Sequence, residues 1–140
     1  MRISEENDRR NREKLTLERL PRALDEVYAE IQECMKEYRR AFGDQSVESQ
    51  KAAGRVRVTV RAEVNGRWQQ AGRVDIDTDG TIPGFQVDRG TGAEPLTIEV
   101  GLLPGEKLYF RDRAKDQYIN MDEVTRRILD RAFFPKLKGE

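Results

Sequence analysis

The chain has 140 residues, enough for one domain with a modest core and too few for a large catalytic cleft beside a second unit. Lys plus Arg and Asp plus Glu number 26 each, so no net charge draws the protein toward nucleic acid or an anionic membrane. The absence of histidine removes the commonest general base and zinc ligand, and a single cysteine, Cys34, excludes intramolecular disulfides and cysteine-cluster metal sites.

In chain order, residues 1–15 are almost wholly polar and read as a charged arm or helix extension ahead of a single α+β domain over 16–140. This N-terminus is too charged for a secretion signal, and no apolar run approaches the roughly 20 residues of a membrane span, so no membrane association and a cytoplasmic location are expected. From Leu17 the apolar residues Leu20, Leu24, Val27, Ile31, Cys34, Tyr38 and Ala41 recur in steps of three and four, a helical period that also makes Cys34 a core residue. Pro21 suits a first turn and Gly43 a C-terminal stop, so the spacing predicts a helix over 21–42. Its stripe is broad: Tyr28, Met35 and Phe42 are apolar where a two-stranded coiled coil wants charge. Packing on the protein's own sheet is therefore expected, with a homo-oligomer through this helix as the alternative.

Residues 44–54 show no period and read as a connection. The segment RVRVTVRAEV alternates strictly and predicts a half-buried strand with Val56, Val58, Val60, Ala62 and Val64 inward. Asn65-Gly66 suggests a two-residue hairpin, but that register sets the valine face against Gln69, Ala71 and Arg73. A three-residue loop, Val64-Asn65-Gly66, instead places Ala62, Val60, Val58 and Val56 opposite Trp68, Gln70, Gly72 and Val74, with Trp68 facing the core. The second strand runs to about Asp77. A short strand is expected over 82–88, weakened by Pro83 and Gly84, then strands in LTIEVGL, KLYFR and QYI. Asn120, three residues before Glu123, caps a helix over 121–134. The pattern predicts a two-layer α+β fold: a long N-terminal helix packed on an antiparallel β-meander of four to five strands, with a short C-terminal helix.

The turn DIDTDG has the spacing of a calcium loop, with Asp75, Asp77 and Asp79 as candidate ligands. An EF-hand needs a helix before it and a bidentate glutamate at position twelve; here a strand precedes the loop and position twelve is Gln86. An acidic hairpin turn is thus the favoured reading, and a small ligand- or metal-binding module the alternative. The run KAAGRVRVTVRAEVNGRWQQAGRVDIDTDG, Lys51 to Gly80, resembles the start of a PilZ domain, in which R-x-x-x-R precedes the first barrel strand and D-x-S-x-x-G follows the second. Lys51 takes the place of the first arginine when Arg55 is the second, and Asp77 replaces the serine. The resemblance implies cyclic di-GMP binding by arginines, which the added carboxylate of Asp77 would oppose.

Arg55, Arg57, Arg61 and Arg73 share the outer strand face, but Glu63, Asp75 and Asp77 interrupt the positive charge and nucleic acid binding is not expected. No spacing sets a carboxylate pair against a nucleophile, and no phosphate-binding glycine loop is present, so neither catalysis nor a cofactor is expected. What remains is a non-enzymatic protein–protein interaction module. Its expected contact residues are Arg9, Arg10 and Arg12 of the arm together with the four outer arginines.

Overall fold

The computed structural model describes residues 2–80, 82–90, 92–105 and 107–133. In chain order these form α1 (Arg2–Phe42), β1 (Val47–Ala52), β2 (Arg55–Val64), β3 (Arg67–Asp77), β4 (Gly84–Asp88), β5 (Leu96–Leu103), β6 (Lys107–Asp112), β7 (Gln117–Ile119) and α2 (Met121–Phe133). The strands make one antiparallel sheet in simple sequence order, so the two-layer α+β reading holds, with seven strands rather than four to five.

The first departure is in α1: the helix predicted over 21–42 runs from Arg2, so the arm is the helix extension rather than a separate segment, and Pro21, expected in a first turn, lies in the interior. Pro21 sits on an exposed side, and Leu17, whose carbonyl loses its donor, is 55% exposed, so water can replace the missing bond. The arm is rich in helix formers and pairs Arg9 and Arg10 with Glu6. Burial starts only at Thr16, whose hydroxyl donates to the Arg12 carbonyl at 2.8 Å, and continues through Leu20, Leu24, Val27, Ile31 and Met35. This stripe covers the protein's own sheet, meeting Val56, Val58, Val60, Val74, Ile76 and Ile98 in one core that α2 completes with Val124, Ile128 and Leu129. The helical cap of α2 forms as the sequence indicates: the Glu123 amide donates to Asn120 Oδ1 at 2.9 Å.

The second departure is β1, which occupies the segment read as a connection. Its sequence, VESQKA, has one large apolar residue, Val47, paired with Val60. The other helix-facing positions are polar and are satisfied by α1: the Ser49 hydroxyl bonds Tyr28 at 2.7 Å and Lys51 pairs with Asp25 at 2.9 Å. An edge strand held by polar contacts leaves no alternating apolar signal.

The third is the β2–β3 register. Both Asn65 and Gly66 have positive φ, 54° and 77°, so the turn is the two-residue kind, with Val64 opposite Arg67. The mismatch that this turn creates is absorbed by a bulge between Arg61↔Gln70 and Val60↔Gly72, after which Val58 meets Val74 and Val56 meets Ile76. One extra residue therefore reconciles the tight turn with a continuous apolar face. Beyond the bulge Trp68 pairs with Glu63 rather than Ala62; it is half-buried outside the core, and its ring lies near Gly43. In β4, Gly84 has φ 156° and a side chain there would meet the Ile98 carbonyl at 2.1 Å, so the glycine that weakens the strand pattern is what lets β4 approach β5.

Candidate functional site

Because α1 and α2 cover one face of the sheet, the other face is open. It carries the outer arginines and the acidic turn together, and the antiparallel register sets them against each other. Arg57 lies opposite Asp75 and Arg55 opposite Asp77. Arg57 Nε reaches Asp75 Oδ1 at 2.7 Å, Arg73 Nε takes the other oxygen at 3.0 Å, and Arg55 lies 3.4 Å from Asp77 and 3.5 Å from Asp79. Arg61 hydrogen-bonds Glu48 and holds that carboxyl below its ordinary value. The outer arginines and the candidate metal ligands thus share one surface of ion pairs, within β3 for Arg73–Asp75 and across strands for Arg57–Asp75 and Arg55–Asp77. Asp77 Oδ1 also accepts the Asp79 amide at 2.8 Å, an Asx turn, and among the described residues no group of three or more His, Cys, Asp or Glu side chains is arranged to hold a metal ion.

The residues that resemble the PilZ motif are separated by the strand alternation. Lys51 is engaged by Asp25 of α1, whereas Arg55 is on the open face with Asp77 and Asp79. Further along the open face Arg111 bridges Glu99 at 2.6 Å and Asp116 at 2.5 Å, which raises the guanidinium pKa. The Tyr109 ring lies over Gly101, where any side chain would clash at 2.3 Å, and meets Tyr118 edge-on at 5.4 Å. Of the arm residues, Arg9 and Arg10 pair with Glu6, and Arg9 and Arg12 overlook a cleft of about 470 Å³ that also touches Glu99 and Tyr109.

The helical side differs. Where α1 and α2 diverge from the core they leave a groove of about 440 Å³, floored by Cys34, Tyr38, Phe42, Leu129 and Phe133. Tyr38 lies between Phe42 and Phe133, its ring tilted by 40° and 38° to theirs at centroid distances of 4.6 and 4.5 Å, and Phe42 remains 57% exposed. Burial pushes the Cys34 thiol pKa up, with Glu37 and Glu30 adding to the shift, so it lines the groove as a neutral apolar group. Among the described residues the rim carries Glu30, Glu37, Asp122 and Asp130 against one cation, Arg126, which is already bonded to Asp122 at 2.5 Å and Glu123 at 3.4 Å. Burial also raises the pKa of Asp130.

Glu30 and Glu37 are visible in the sequence as charges flanking the α1 stripe, but sequence reasoning assigned none of the rim residues to a site. The available signal was the breadth of the α1 stripe, whose positions Tyr38 and Phe42 lie past the stretch that the sheet covers. In comparison with known proteins, the chain matches no family model, no curated protein and no solved structure.

Proposed function

We propose that the protein is a non-catalytic protein-binding module whose α1–α2 groove receives a basic amphipathic segment of a partner protein. The observation that supports this is the pairing of an apolar floor with an acidic rim in a molecule of zero net formal charge. Aromatic residues in a concave site supply contact area, and an excess of carboxylates at the edge selects Lys or Arg flanking the inserted side chain. The outer arginines favoured by the sequence fit this role less well, since each already has a carboxylate beside it that offsets its charge.

The test is selection of a random dodecapeptide library displayed on phage against the full chain. Enriched peptides should carry two or more Lys or Arg residues around an aromatic or aliphatic pair, and enrichment should vanish with Phe42→Asp. Phe42 is exposed, so that variant keeps the fold. No enrichment, or enrichment unaffected by Phe42→Asp, contradicts the reading.

A further inference from the structure

A second concavity lies where the sheet is incomplete. β3 has eleven residues, yet its ladder with β4 covers only Asp75–Asp77. Past Asp88 the chain turns away at Arg89-Gly90, with Gly90 at φ 96°, and leaves the β4 side of residues 70–73 without a strand partner. The result is a notch of about 410 Å³ between β3, the β4–β5 loop and α2. Its described lining carries Arg73, Arg89 and Arg131 and no carboxylate. That composition departs from the β2–β3 face, where Arg55 and Arg57 are set against Asp77 and Asp75.

The donors of these three side chains are incompletely used. Arg73 spends Nε on Asp75 at 3.0 Å. Arg89 gives one terminal nitrogen to the Glu94 carbonyl at 2.9 Å, which fixes the loop, while its Nε is buried with no acceptor. Arg131 has no hydrogen-bond or ion-pair partner among the described residues. A buried unsatisfied donor is costly, and guanidinium groups arriving from three separate segments repel one another unless an anion lies between them.

We infer that this notch binds a small phosphate-bearing ligand through Arg73, Arg89 and Arg131. A planar carboxylate is saturated by one or two forked guanidinium contacts. A phosphate monoester offers three oxygens and up to two negative charges, enough acceptors for all three arginines. The remaining volume accommodates a small organic group on the ester. This site is separate from the α1–α2 groove and does not rest on the function proposed for it.

Isothermal titration calorimetry of the full chain at constant ionic strength, with inorganic phosphate, adenosine monophosphate and acetate as probes, tests the inference. Phosphate and the monoester should bind, and acetate should bind at least about tenfold more weakly. Tighter binding of the monoester assigns the organic group to the notch, and equal binding assigns the site to phosphate alone; either supports the inference. Arg131→Gln and Arg89→Gln should each weaken binding by about tenfold or more with unchanged circular dichroism, and Arg131→Lys should weaken it less, since it keeps the charge but loses the fork. No heat with either phosphate probe, equal affinity for acetate, or binding unaltered in both glutamine variants would overturn it.

Discussion

The two sides of the sheet use the same kinds of residue to opposite effect. On the open side, the register places Arg55 against Asp77 and Arg57 against Asp75, while Arg73 shares Asp75 and Arg61 meets Glu48 of β1, so a surface that looks strongly cationic in one strand is offset once its neighbours are in place. On the helical side, carboxylates of α1 and α2 line a groove with aromatic rings, with a single cation among the described residues of that lining. Charge content alone does not reveal a binding surface; what matters is whether the fold supplies the counter-charge.

The largest effect expected in testing this contrast is on the helical side. Ile31 is fully buried between α1 and the sheet, and Ile31→Asp places a carboxylate there at a cost of about 3 to 5 kcal/mol. The variant should unfold or become molten by circular dichroism and near-ultraviolet spectra. A well-folded variant of reduced mass by light scattering would mean that the stripe is an oligomer seam.

A smaller loss is expected at the junction of the two sides. Asp112 is 2% exposed and accepts the Ala114 and Lys115 amides at 3.1 and 3.3 Å as well as the Arg127 guanidinium, tying the β6–β7 turn to α2. Asp112→Ala leaves these donors short of an acceptor, and because Arg127 keeps some contact with water the cost should be about 2 to 3 kcal/mol in urea denaturation. A change within experimental error would show that the turn is held by its backbone alone.

The smallest effect belongs to the open face. Arg57 and Asp75 are both partly in water, so Arg57→Ala should cost less than about 1 kcal/mol, shrinking further at high salt. A larger, salt-insensitive loss would make these pairs a structural network rather than a solvated surface.

Where periodicity is strong the sequence is readable: the Leu20–Met35 stripe, LTIEVGL and the Asn120 cap appear where expected, and the valine strand does as far as Val60, whereas Ala62 and Val64, expected inward, lie past the bulge and are exposed. What escaped were features whose stabilisation is not periodic. β1 is held through Ser49 and Lys51, contacts that depend on a helix some twenty residues away. The β2–β3 bulge resolves a conflict between turn chemistry and face parity that either signal alone misjudges. The local rule for Pro21 holds only where the helix face is buried, and an exposed helix face relaxes it. The candidate sites followed the same division: individual arginines and aspartates were visible, but their mutual neutralisation, the acidic groove and the arginine notch exist only through long-range packing.

The most direct test of the central claim measures one peptide selected on the wild-type groove against two variants by fluorescence anisotropy. Phe42→Asp should abolish binding, whereas Arg57→Glu, on the opposite face, should leave the dissociation constant within about twofold. Loss of binding in Arg57→Glu with retention in Phe42→Asp would place the partner on the open sheet and contradict the account.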